Sequence, residues 1–361
     1  MTVACLLVLG VALIFVSEGA EAIDPEWSYE TGDNVRAVAT SADGEYIVVG
    51  SDDNKVYLFD KNSSTPIWKY TASGGNMYSV AVSSDGQYIV AGSGDDKVYF
   101  FNKDSSTPLW SYSTGNDVLS LAISADGDYI IAGSVDKKIY FFNKDNSTPL
   151  WNYTTSGDVQ SVAISADGEY IAAGSRDNKV YLFNKDSNTP LWSYSTGNDV
   201  PSVAISADGE YITAGSWDNK VYLFDKDSST PLWSYYTGNV VVVSVDISAD
   251  GEYIVAGSGD DRVYLFDKDS SSPYWTYTTN DDVRSVTISE DGEYIVAGSK
   301  DDKVYLFNKN SSTPLWSYST GDWVNTVAIS ADGKYVATGS QDDSIYAFKN
   351  SLASRPSVIP Y

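Results

Sequence analysis

Apolar positions fall in short runs with strand-like alternation, and turn-forming residues close each run. One unit shows the arrangement: Val159–Ser165, Tyr170–Ser175, Lys179–Asn184 and Leu191–Thr196 read as four strands, a to d. Ala166-Asp167-Gly168 separates a from b, and Asp-Gly is a tight hairpin signal because it tolerates a left-handed backbone. Arg176-Asp177-Asn178 separates b from c, and the Lys185–Pro190 stretch separates c from d. Turns this short join only antiparallel neighbours. Strand c is apolar on both faces, Val180 and Leu182 alternating with Tyr181 and Phe183, as in a sheet stacked between other sheets. No segment carries a helical period of useful length.

The unit repeats along the chain. Asp-Gly pairs begin at Asp43, Asp85, Asp126, Asp167, Asp208, Asp250, Asp291 and Asp332. Tryptophans recur at Trp27, Trp68, Trp110, Trp151, Trp192, Trp233, Trp275 and Trp316. Each Asp-to-Trp step is 25 residues; each Trp-to-Asp step is 16, or 17 after Trp68 and Trp233, so all length variation sits in the d–a connection. Four-stranded units of this length, repeated radially, describe β-propeller blades. The termini predict closure. Trp27 belongs to a d strand with no a, b or c before it, and the last unit, 324–349, lacks a d strand. Trp27–Thr31 should therefore pair with Ser344–Phe348. The expected fold is all-β: an eight-bladed β-propeller of four-stranded antiparallel blades, with the N-terminal strand completing the last blade. An open solenoid would leave both sheet edges unpaired.

Ahead of the repeats, Thr2 to Val16 is an apolar run too short to span a bilayer, followed by Ala20-Glu21-Ala22, a small-x-small cleavage pattern. Residues 1–22 are thus expected to be a secretory signal peptide cut after Ala22. Its first residues carry no lysine or arginine, and a retained membrane anchor or a misplaced start codon are the alternatives. Residues 24–349 would form the propeller and 350–361 a polar tail. The one cysteine, Cys5, falls in the leader, so the mature protein would rely on packing alone for stability. It is expected to be secreted or held at the extracellular surface.

Composition excludes several partners and chemistries. The chain of 361 residues has 49 acidic against 23 basic residues, a formal charge of −26, and no histidine. Nucleic acid and anionic lipid need a basic footprint, so neither is an expected partner, and no membrane insertion of the mature chain is expected. Without histidine, catalytic triads and histidine–zinc sites are ruled out.

The stretch from Val162 to Phe183, including Ala166-Asp167-Gly168-Glu169-Tyr170 and Gly174-Ser175-Arg176-Asp177, resembles the WD-repeat pattern through strands a to c. Pro190-Leu191-Trp192-Ser193-Tyr194-Ser195-Thr196-Gly197 is similar to the repeat of pyrroloquinoline-quinone-type propellers, which are commonly eight-bladed. The resemblance spans residues 27–349. The Gly-His pair of the WD family is absent, and its Trp-Asp pair is replaced by Phe59-Asp60 or Phe183-Asn184, so that family's histidine–aspartate network cannot form. The quinoprotein resemblance implies dehydrogenase chemistry, for which family members carry long inserted loops, a calcium site and a catalytic aspartate over the axial opening. Here the repeats have nearly one length, no Asp-x-Asp-x-Asp-Gly calcium loop occurs, and the aspartates at 53, 95, 136, 177, 218, 260, 301 and 342 recur in every unit as turn residues. No aspartate stands out from its repeat equivalents on this reading. The expectation is no enzyme, no cofactor and no metal.

Where the units differ is more informative. In a meander the a–b and c–d loops emerge on one face and the b–c and d–a loops on the other. The first face is expected to be monotonous. On the second, the b–c column reads Asp52, Gly94, Val135, Arg176, Trp217, Gly259, Lys300, Gln341, and the column at the head of strand a reads Arg36, Tyr78, Leu119, Gln160, Pro201, Val243, Arg284, Asn325. Diversity on a uniform scaffold marks a recognition surface; drift at exposed turns is the alternative, and it explains Trp217, Tyr78 and Trp323 poorly. The candidate ligand-binding rim is Arg36, Tyr78, Arg176, Trp217, Arg284, Lys300, Trp323 and Asn325. Its cations and indole suit an acidic glycan or acidic peptide, unless Arg36 and Arg284 only offset Asp33, Asp281 and Asp282. Glycosylation sequons occur at Asn62, Asn146, Asn152 and Asn310. The expected function is a non-catalytic binding or assembly scaffold for a protein or glycan. A quinoprotein-type dehydrogenase and a purely structural surface protein are the alternatives.

Overall fold

The structure, a computed structural model, describes residues 21–354. Eight antiparallel sheets follow one another along the chain, each ordered a-b-c-d. Blades are numbered here by their Asp-Gly turns. Blade four is Val159–Ile164, Tyr170–Ser175, Lys179–Asn184 and Trp192–Ser195, within a residue or two of the expected limits. Among the described residues the only helical element is the 3-10 turn Ser351–Ser354, at the start of the expected tail.

Closure occurs where the sequence places it. Trp27–Glu30 pairs antiparallel with Ser344–Lys349, in the register Trp27 opposite Ala347 and Glu30 opposite Ser344. Blade eight is therefore built from both ends of the chain. The first nineteen residues of the expected leader, and residue 20, lie outside the described residues, as do 355–361 of the tail. Glu21–Ala22 is described, and it adds a short parallel strand to the outer edge of blade seven, opposite Trp316 and Ser317. The expected cut after Ala22 would remove that strand.

Three repeated contacts hold blade to blade. The glycine of strand b faces the first residue of the next blade's strand a: a Cβ on Gly174 would stand 2.6 Å from the Val200 carbonyl oxygen and 2.7 Å from its Cγ1, and one on Gly339 would stand 2.3 Å from Val35 Cγ1. Only glycine permits that approach. The tryptophan of strand d packs on the strand c phenylalanine of the next blade, with Trp27 and Phe59 centroids 5.1 Å apart and Trp192 and Phe224 5.3 Å apart. Its indole N–H donates to a lysine carbonyl of the same neighbour, as Trp27 does to Lys61 and Trp192 to Lys226, both at 2.7 Å. Trp316 departs from this pattern. Asn350 stands at the lysine position beside it, its indole N–H has no partner, and it is only 3% exposed, with Ile23 of the N-terminal segment packed in the same cluster.

Strands a lie innermost and are stitched by hydrogen bonds. The strand a serine of one blade accepts the amide of the next, as Ser161 does from Val203 at 3.1 Å, and Thr326 accepts from Val38 at 3.3 Å across the closing seam. At the a–b turns a second ring runs through the backbone: Ala42 donates to Ser84, Ser84 to Ala125, Ala125 to Ala166, and Ala331 closes back on Ala42, each at 2.9–3.0 Å. These bonds tie the strand a wall from blade to blade, with gaps among the described bonds only at Ala37, which has no hydroxyl, and between Glu290 and Ala331.

Candidate functional site

The b–c turn is rigid by construction. In blade four Ser175 Oγ accepts the Asp177 amide at 3.2 Å and donates to the Gly157 carbonyl, while Asn178 adopts a left-handed φ of 66°. Asp177 accepts the Tyr181 hydroxyl at 2.7 Å and the Ser156 amide from the d–a loop at 2.9 Å. Burial, then this carboxylate, raises the Tyr181 hydroxyl far above its ordinary value. The same pair recurs at Tyr222 with Asp218 and Tyr305 with Asp301, both 2.5 Å. The recurrent aspartates thus hold turn, strand and loop together, with a strand c tyrosine hydroxyl as the donor to each.

That frame projects the variable columns outward. In seven blades the second residue of strand a is a β-bulge: Arg36 is skipped between Val35 and Ala37, and Asn325 between Val324 and Thr326. A bulge leaves its residue unpaired and re-aims the side chain. In blade five Pro201 stands at this position and strand a shortens to Ser202–Ile205.

Most of the candidate rim is bonded to its own protein. Arg36 Nε binds both Asp52 oxygens, at 2.9 and 2.8 Å, so Asp52 rather than Asp33 is its partner. Arg176 lies 3.0 Å from Asp158 and 3.8 Å from Asp199. Lys300 binds Asp282 at 2.5 Å and lies 5.0 Å over the Trp323 ring, which joins blades seven and eight. Asn325 donates to the Val35 carbonyl at 3.1 Å and accepts from Gln341 at 3.2 Å. Among the described residues Arg284 forms no ion pair and is half-buried. Tyr78 is also half-buried, its ring beside Gly94. Trp217 and Trp323 are the outward aromatics, 37% and 38% exposed.

The surroundings are acidic. Blades six, seven and eight place Asp261, Asp302 and Asp343 at the left-handed turn position where blades one, four and five have asparagine. Desolvation, then the neighbouring carboxylates, raise all three above the usual range: Asp282 and Asp281 act on Asp261, Asp322 on Asp302, and Asp33 on Asp343. Oxygens of Asp261, Asp281 and Asp282 lie within 4.8 Å of one another, and the Lys300 ammonium already supplies a countercharge at Asp282. The sequons at Asn62, Asn146 and Asn310 are exposed on c–d turns, and Asn152 is exposed in strand d.

One group was absent from the expected set. Asp246, in strand a of blade six, stands where six other blades carry alanine, and it lines the channel. It corrects the expectation that no aspartate departs from its repeat equivalents. With Glu290 it also corrects the expectation of a monotonous first face. The signal was the one charged residue in the Ala-Ile column of strand a, a column that also varies at Thr40, Val82 and Thr287.

The family profile described as "Outer membrane protein assembly factor BamB" matches residues 21–235 and 221–352. No curated protein is similar enough to count as a relative. Among solved structures, the crystal structure of the computationally designed Ika8 protein is similar in fold, with a TM-score of 0.75 at 14% identity, covering 89% of this chain and 99% of that one.

Proposed function

The chain belongs to the family of outer membrane protein assembly factor BamB, and from that premise we propose that it is a non-catalytic scaffold. It is exported, and it engages a protein or glycan through the face of the b–c and d–a loops. The observation that carries this reading is the exposure of Trp217 and Trp323 on the face where the repeats diverge. Exposed indoles in a soluble ring promote association unless a partner covers them, and tryptophan dominates binding hot spots. The internal pairing of Arg36, Arg176 and Lys300 leaves Arg284 and the two indoles as the contacts a ligand can take without displacing an ion pair. No helix among the described residues is long and apolar enough to cross a membrane.

A quinone cofactor with calcium does not fit these residues. The b–c turns have one length in all eight blades and the d–a loops differ by a single residue, so nothing inserted roofs the mouth. The recurrent aspartates accept tyrosine hydroxyls through Oδ2. Although Oδ1 of Asp95, Asp177, Asp218 and Asp260 is buried without a partner, none of these residues belongs to the one group of carboxylates close enough to hold an ion among the described residues. The test is binding of a glycan and protein panel by the parent, by Trp217→Ala and Trp323→Ala, and by c–d loop substitutions. Loss of a hit in the tryptophan variants with an unchanged melting temperature supports the reading. Loss only on changing the c–d loops would move the functional face to the other side.

A further inference from the structure

At the a–b mouth two small-residue columns break on neighbouring blades, while the isoleucine column beside them varies only by Thr40 and Val82 on blades one and two. The fifth residue of strand a is alanine in six blades, Asp246 in blade six and Thr287 in blade seven. The residue before Asp-Gly is alanine or serine in seven blades and Glu290 in blade seven. All three exceptions fall on adjacent blades. Drift would scatter such changes around the ring.

They meet a cavity. It has a volume of about 350 Å³, and its wall is a band of isoleucines, among them Ile164, Ile205 and Ile247, interrupted by Asp246 and Glu290. The Asp246 carboxylate is well oriented: Oδ2 accepts the Thr287 hydroxyl at 2.8 Å and the Ile288 amide at 3.0 Å, and Oδ1 accepts the Ile247 amide at 2.9 Å. A carboxylate offers about four acceptor positions, so these three donors leave one open on Oδ1. No cation stands opposite it among the described ion pairs.

We propose that this axial cup binds an amphiphilic organic monocation, a primary aliphatic amine, with its ammonium on Asp246 and its hydrocarbon along the isoleucines. An apolar pocket with one placed polar group is the usual form of a small-ligand site, and the charge assigns the sign of the ligand. Burial pushes the Asp246 carboxyl up despite its three donors, and an ammonium would favour its ionised form. Glu290, exposed at the rim, adds attraction at the entrance. The site lies at the opposite mouth from the proposed recognition face, so either reading can fail without the other.

The test titrates the full protein at neutral pH with n-hexylammonium, hexan-1-ol and hexanoate, by calorimetry. Hexylammonium should bind once per chain. Asp246→Ala, which restores the residue of six other blades, should weaken it at least tenfold while leaving any hexanol binding unchanged. Asp246→Asn keeps the shape and should weaken it similarly, and it gives the reading if the alanine variant melts early. Hexanoate should not bind. Absence of saturable hexylammonium binding, an affinity in both Asp246 variants equal to that of the parent, or equal binding of hexanol and hexylammonium would overturn the proposal.

Discussion

At the a–b end of the ring, Asp126 accepts the Ser124 hydroxyl at 2.6 Å and the Asp128 amide at 2.9 Å; at the b–c end, Asp261 faces Asp281 and Asp282. Both are turn aspartates in the same fold. Burial acts to raise Asp126, but its hydrogen bonds from Ser124 and the backbone outweigh that and hold it below the usual range. Asp332 is lowered likewise, with Lys334 and Ser330 as its donors. Desolvation and like charge raise Asp261, Asp302 and Asp343. The a–b turns use their carboxylates as structural acceptors. The b–c end does so too at Asp177 and its equivalents, Asp53 being lowered likewise, but it adds Asp261, Asp302 and Asp343, whose carboxylates have no donor among the described residues. Residues that the fold does not need are the ones left for another purpose.

The largest effect should come from breaking the scaffold common to both ends. Deleting residues 24–31 removes the only d strand of blade eight, with Trp27 and Tyr29 packed on Phe59 at 5.1 and 5.2 Å. Each loses about 2–3 kcal/mol of apolar burial, and a bare strand edge is exposed. The variant should aggregate or melt far below the parent; an unchanged melting temperature with monomeric elution would mean that closure lies elsewhere.

A smaller contrast separates the two ends directly. Ser165 is fully buried at an a–b turn, donating to Asp167 at 2.6 Å and accepting the Tyr170 amide at 3.0 Å. Ser165→Ala should cost about 1–3 kcal/mol, because a buried amide loses its acceptor. Trp217→Ala on the other end should stay within about 0.5 kcal/mol of the parent. Denaturant midpoints measure both, and equal losses would erase the distinction.

The ends should also respond oppositely to acid. Groups raised in the folded state bind protons more tightly there than when unfolded, so Asp261, Asp302 and Asp343 add stability as pH falls from neutral towards about 4. Lowered groups such as Asp126 and Asp332 contribute stability present above the unfolded value of about 4, which is lost as pH falls further through their folded values. The melting temperature should therefore pass through a maximum in mild acid. Asp261→Asn with Asp302→Asn should flatten the rise but not the fall. The smallest expected effect is none at all: the acidic chain should not retain DNA at moderate salt.

The fold was legible because its determinants are local and repeated. Asp-Gly turns, the strand c aromatics and the unpaired Trp27 run specify blade, number and closure without any distant contact. The site was legible only as a pair of columns. Which aspartate pairs with Arg36 depends on a strand a bulge meeting a b–c turn sixteen residues on, and spacing alone suggested Asp33 instead. The tyrosines whose hydroxyls donate to the turn aspartates read as core residues, since Tyr181 is apolar over most of its surface. Asp246 was hidden by its setting, the one charged residue in a strand a column that is alanine in six blades and Thr287 in blade seven. The parallel strand at Glu21–Ala22 is two residues long, below any pattern.

A carboxyl NMR titration of the aspartates tests the difference between the two ends most directly. Asp126 and Asp332 should titrate below the ordinary carboxylate range, and Asp261, Asp302 and Asp343 above it. If both sets titrate together, the two ends of the ring are electrostatically equivalent, and the division into a structural face and a free face is wrong.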